Sequence, residues 1–179
     1  MGWFHFYLVV HIIGVLLAFG PTFAYPFFGM LVQKYPQGAL LFVEGTELIA
    51  KRLTLPLGAV VAFAGVGMIY TAHIDLWKSG WLIISIILYT AAYSFGLLVQ
   101  LPTEAKLLHL LKSMGPPPGG PPPAAGAPGG PAGGSPAGPP PEVAALSKRL
   151  RMGGAYLSGS VLIIAILMIW QPGHPVHIG

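Results

Sequence analysis

Four runs of about twenty residues pass without a single Asp, Glu, Lys or Arg: Trp3 to about Tyr25, Leu53 to His73, Trp81 to Leu101 and Met152 to Trp170. A bilayer core about 30 Å thick is crossed by about 20 residues of α-helix rising 1.5 Å each, so each run is long enough to span it. Segments such as "WLIISIILY" and "SVLIIAILMIW" are continuously apolar. They lack the period-two alternation of barrel strands, so helices are the expectation. The first run has no Lys or Arg ahead of it, as a secretory signal would, and is read as a span. The composition agrees: 54% of the 179 residues are hydrophobic and only 8% charged, against about 25% in an ordinary soluble domain.

The expected fold is therefore all-α, a polytopic membrane four-helix bundle. Residues 1–114 carry the first three helices with their interfacial segments, 115–141 form a linker, and 142–179 carry the fourth helix and a tail. With four crossings, the termini and the middle loop share one side. Lys34, Lys51, Arg52, Lys106, Lys112, Lys148, Arg149 and Arg151 fall in the first and third loops, and only Lys78 falls opposite. The positive-inside tendency then places loops 1 and 3 in the cytoplasm and both termini on the non-cytoplasmic side of an inner (plasma) membrane. Trp3, Trp77, Trp81 and Trp170 all reach the outer interface in that arrangement, where indoles concentrate. The basic face meets anionic headgroups of the lipid bilayer, not nucleic acid.

The linker "GPPPGGPPPAAGAPGGPAGGSPAGPPP" holds only Gly, Pro, Ala and Ser and offers nothing to pack, so a disordered cytoplasmic tether is expected, with a PxxP ligand as the alternative. After Pro102, "TEAKLLHLLKS" reads as an amphipathic helix capped by Thr103. "PEVAALSKRLRM" leads into the fourth span, with Pro141 and Glu142 suited to a helix start. In "LLFVEGTELIAKRL", Glu44, Glu47 and Lys51 share a stripe. Glu47 and Lys51 have the acid-then-base spacing of an ion pair, the alternative being a proton-handling carboxylate near the cytoplasmic mouth.

His11 stands deep inside the first span, eight residues and about 12 Å below Trp3. At such depth it must face a neighbouring helix or a wet cavity, which makes it a candidate site. Gly14 and Ala18 follow on its face, small enough for a helix or a flat macrocycle to approach. His73 closes the second span on the same side, and His174 and His177 lie in the tail beyond the fourth. His5 is there too, but stands roughly 240° around the helix from His11. Facing helices can supply imidazoles to haem b, so His11 and His73 are the candidate cofactor ligands. The alternative is a neutral His11 bonded to a neighbouring backbone carbonyl, with His73 simply interfacial. No pair has zinc-helix spacing, and the chain has no cysteine, which excludes thiolate nucleophiles, iron–sulfur clusters and covalently attached haem. Gly58, Ala62, Gly65, Gly153, Gly154 and Gly159 are expected at tight helix contacts. No phosphate loop or nucleophile elbow is present.

The segments "VVHIIG", "AKRLTLPLGAVVAFAGVGM" and "WLIISIILYTAAYSFGLLVQLPTEAKLL" resemble a bacterial family of four-helix integral membrane proteins designated a domain of unknown function. The likeness spans about residues 5–112 and the fourth span and implies a four-helix inner-membrane protein. The layout is more distantly similar to the membrane-bound protoporphyrinogen oxidase family, whose first helix carries Lys-x-x-His. Here "LVVH" places Leu8 at the lysine position, so the resemblance extends only to His11 as a haem ligand and not to porphyrinogen oxidation. Three functions stay open: a haem- or metal-binding membrane protein through His11, a non-catalytic partner subunit or homo-oligomer within a membrane complex, and a small transporter. No catalytic residue is assigned.

Overall fold

The computed structural model describes residues 2–35, 38–114 and 140–172, and every regular element among them is helical. The linker 115–139 and the histidines at 174 and 177 lie outside the described residues. Four continuous helices, Trp3–Val32, Ala39–Thr71, Gly80–Ser113 and Pro141–Trp170, are long and apolar enough to cross a membrane. At 30 to 34 residues each they exceed what the hydrocarbon requires, so about a third of each extends past the apolar run at the end bearing the basic residues.

Proline sets where each of these helices changes character. The first comprises α1 (Trp3–Phe19) and α2 (Tyr25–Lys34), joined by a 3₁₀ turn, Gly20–Phe23, built around Pro21. The second is α3 (Ala39–Ile49) and α4 (Leu55–Thr71), and the third is α5 (Gly80–Phe95) and α6 (Leu101–Ser113). Both run through a proline, Pro56 or Pro102, without breaking. A proline ring clashes with the carbonyl four residues back and has no N–H to give it. The chain accommodates this with a π turn just ahead, Ala50–Thr54 or Gly96–Gln100, where Leu55 N–H bonds the Ala50 carbonyl and Leu101 N–H that of Gly96. The expected helix start at Thr103 is corrected accordingly. Its hydroxyl donates 2.5 Å back to the Val99 carbonyl within an unbroken helix and caps nothing. The fourth helix, α7 (Pro141–Trp170), begins with Pro141 in its first turn as its sequence anticipates.

The spans pack as two antiparallel pairs joined by a tyrosine seam. In the pair α1–α4, Tyr7 lies on Gly67, Gly14 on Val61, and Thr54 donates 3.0 Å to the Ala18 carbonyl. Gly14 and Ala18 are buried there, so the small face of α1 receives a helix. In the pair α5–α7, Phe95 meets Tyr156 edge-on at 5.1 Å and Gln100 Nε2 donates 3.3 Å to the Leu150 carbonyl. Between the pairs, Tyr89 and Tyr93 of α5 stack at 5.9 Å and donate to the Gly58 and Leu55 carbonyls of α4 at 2.6 and 3.0 Å. Gly58, Gly65 and Gly153 stand at close contacts, whereas Ala62 is exposed and Gly154 and Gly159 face open space.

At the basic end, α3, α6 and the start of α7 enclose a small apolar core of Val43, Leu107, Leu108 and Val143. Ion pairs rim it: Lys112 to Glu44 at 3.0 Å, Lys51 to Glu47 at 2.6 Å and Lys106 to Glu142 at 3.3 Å. The 47–51 pair matches its helical spacing, while Glu44 leaves the shared stripe for Lys112 of α6. Trp3, Trp81 and Trp170 begin or end α1, α5 and α7 at the opposite end, with Trp77 in the α4–α5 connection.

Candidate functional site

His11 sits halfway along α1 on the edge that rests against α4. Its Nδ1 lies 2.9 Å from the Val61 carbonyl oxygen. A carbonyl can only accept, so Nδ1 is the donor and the neutral ring keeps its lone pair on Nε2. The ring lies directly against α4 at Gly65, where a Cβ would stand in ordinary contact, 3.5 Å from Cε1. The Val61 carbonyl already accepts from α4's own ladder at Gly65, and its second lone pair takes the imidazole. The ring is half-buried, between a helix on one side and the apolar phase on the other.

The structure does not bring His73 to this ring. The α1–α4 register sets His11 level with Val61 to Gly65, and His73 lies eight residues past Gly65, about 12 Å further along the helix. It is exposed and closes α4 in the left-handed conformation, φ 51°, a role glycine usually fills. Counted from the tryptophans, eight residues from Trp3 and four from Trp77, the sequence sets the two histidines about 6 Å apart in depth, a gap helix tilt can absorb. The observed register separates them because Tyr7 on Gly67 and Gly14 on Val61 lock α1 lower against α4. His5 is exposed beside Phe4, and His109 is exposed at the far, basic end. Among the described residues, no three His, Asp or Glu side chains converge as a bare metal ion would require.

With its Nδ1–H held by the carbonyl, the ring has Nε2 as its one free base. An imidazole whose Nδ1–H is held by a carbonyl is oriented and made more basic at Nε2, the arrangement found behind metal-bound histidines.

Glu104 is a second feature, and its burial is not evident in the sequence. It lies one turn into α6 and is 7% exposed, beside Tyr25 of α2 and Glu47 and Lys51 of the α3 segment. Its Oε2 and the Tyr25 hydroxyl are both buried without a partner among the described residues. Glu104 is about 35 Å along the helix from Trp81 and so beyond the spanning run 81–101. Burial raises its pKa, a hydrogen bond from Gln100 lowers it, Glu47 raises it and Lys51 lowers it, leaving it pushed up to about 7.

Compared with family models, with curated proteins and with solved structures, the chain matches none.

Proposed function

We propose that this chain is a multi-pass inner-membrane protein that binds haem b through Nε2 of His11, with loops 1 and 3 in the cytoplasm and both termini outside. The single observation carrying the haem assignment is the 2.9 Å bond from His11 Nδ1 to the Val61 carbonyl. It fixes the tautomer, holds the ring and leaves one oriented base inside the span, about 12 Å from the tryptophan-bearing end. The orientation is supported by eight of nine basic residues lying in the first and third loops. His11 Nε2 would hold the haem, which when bound would supply one-electron chemistry between spans whose apolar faces exclude water. His73, exposed and about 12 Å away, is not a second ligand to the same iron.

Absorption spectroscopy of the protein purified in detergent and titrated with haem tests this reading. A Soret band that saturates at one haem per chain in the wild type and is lost in His11→Ala is expected. No band, or an equal band in His11→Ala, contradicts it.

A second reading, a partner subunit or homo-oligomer, is favoured by the outer face of α7. Ala155 and Gly159, one turn apart, have no neighbour of their own: Ala155 is exposed and nothing lies within 4 Å of a Cβ at Gly159. Small residues so spaced admit close approach of another helix in lipid. Crosslinking from cysteines at 155 and 159 distinguishes it. Disulfide-linked dimers, or adducts with a second membrane protein, support this reading, and monomers alone remove it.

A further inference from the structure

The protein has five Asp and Glu side chains, and four are paired with lysines: Glu44 with Lys112, Glu47 with Lys51, Asp75 with Lys78 and Glu142 with Lys106. The fifth, Glu104, is the most enclosed, and Lys51, the cation beside it, is held 2.6 Å from Glu47 instead. A carboxylate taken out of water beside a second carboxylate is costly unless a cation or several donors meet it. Here Gln100, on Glu104's own helix, supplies a hydrogen bond, and Oε2 has no partner among the described residues. A neutral carboxylic acid removes the difficulty, because burying it costs far less than burying a charge.

α3 packs on α6, and of the charged groups Glu47 of α3 and Lys51 of the π turn act on Glu104, with the Tyr25 hydroxyl of α2 within range of its charge. On the α7 side, α6 meets Val143, Leu146 and Leu150, which are apolar, while the Lys106–Glu142 pair stays exposed at the rim. Among the described residues Lys51 is the cation that acts on Glu104, and to pair with it Lys51 leaves Glu47.

We propose that Glu104 is a proton-binding site at the basic end of the bundle, its carboxyl protonated while Lys51 pairs with Glu47, and on deprotonation drawing the Lys51 ammonium away from Glu47. The proton leaves to water at that face. Burial in this pocket brings the exchange close to neutral pH. Because Lys51 and Glu47 belong to the α3 segment and Glu104 to α6, the exchange changes how these two elements are tied together. It requires no ligand on His11.

Infrared difference spectroscopy of the full chain in lipid nanodiscs, titrated between about pH 5 and 9, reads the acid directly. The expected result is one protonated-carboxyl carbonyl band that disappears with a midpoint near neutrality, is absent in Glu104→Gln and persists, displaced, in Glu104→Asp. Glu104→Gln copies the shape of the protonated form and is expected to fold. Lys51→Met should move the midpoint upward by roughly one pH unit, since the cation that acts on Glu104 is gone. No such band near pH 6, an undiminished band in Glu104→Gln, or a midpoint unmoved in Lys51→Met would each overturn the proposal.

Discussion

The ring of Tyr93 fills the space a side chain at Gly58 would need: a Cβ at that glycine would lie 2.8 Å from Tyr93 Cε2 and 3.4 Å from the Tyr89 hydroxyl. Tyr93 cannot simply swing aside, because its own hydroxyl is committed to the Leu55 carbonyl at 3.0 Å. This seam is what ties the α1–α4 pair to the α5–α7 pair. Gly58→Leu is therefore expected to lower stability in detergent by about 1–3 kcal/mol through overpacking, and to lose both tyrosine bonds with it. Tyr89→Phe, which deletes only the 2.6 Å bond to Gly58, should cost about 1 kcal/mol, in the range of hydrogen bonds between membrane helices. Denaturation of the two variants beside wild type checks the ranking, and equal stability of Gly58→Leu and wild type would show that the seam does not hold the pairs.

Glu104 makes stability depend on pH in a definite direction. Its carboxyl is raised from 4.5 to about 7 by burial, so between those values the folded chain keeps a proton that the unfolded chain has released. Its contribution is fully present below about pH 4.5, declines as pH rises toward 7, and is gone above that. Glu104→Gln, which cannot ionise, should match wild type near pH 4.5 and exceed it by roughly 3 kcal/mol at pH 8, from about 1.4 kcal/mol per pH unit. Melting curves of both proteins at the two pH values test this. A difference that stays constant with pH would mean the carboxyl is ionised in the folded state.

Orientation is open to chemical labelling, and the absence of native cysteine makes single reporters clean. Lys78, whose side chain is 85% exposed in the α4–α5 connection, and Ser135 of the linker are suitable positions. In intact cells an impermeant maleimide should modify Lys78→Cys and spare Ser135→Cys until the membrane is opened. Labelling of both, or of Ser135→Cys alone, contradicts the assigned topology.

What the sequence shows of this fold and what it conceals have separate physical reasons. The spans are legible because lipid tolerates so few polar groups that an apolar run of the right length has one explanation. The small face of Gly14 and Ala18, the Glu47–Lys51 pair and the helix start at Pro141 are equally legible, since each depends only on neighbours along one helix. The passage of the third helix through Pro102 was not legible, because a π turn is a backbone adjustment to the very residue that normally ends a helix. The same limit hid Glu104. In "TEAKLLHLLKS" it reads as the polar side of an amphipathic helix, and only the return of α2 and α3 across that side encloses it. Register between helices is likewise a matter of which knobs meet which glycines, and it is the register of α1 on α4 that parts His11 from His73. The exposure of Ala62 and the open space at Gly154 and Gly159 show that small residues mark where a helix could approach, not where one does.

Histidine carrying ¹⁵N in both ring positions, observed by solid-state NMR in lipid with His11→Gln as the assignment control, addresses the central claim most directly. The account predicts that the His11 signals belong to a neutral ring protonated on Nδ1, and that adding haem perturbs its Nε2 resonance while leaving those of His73 unchanged. A ring protonated on Nε2, or a spectrum of His11 untouched by haem, would contradict it.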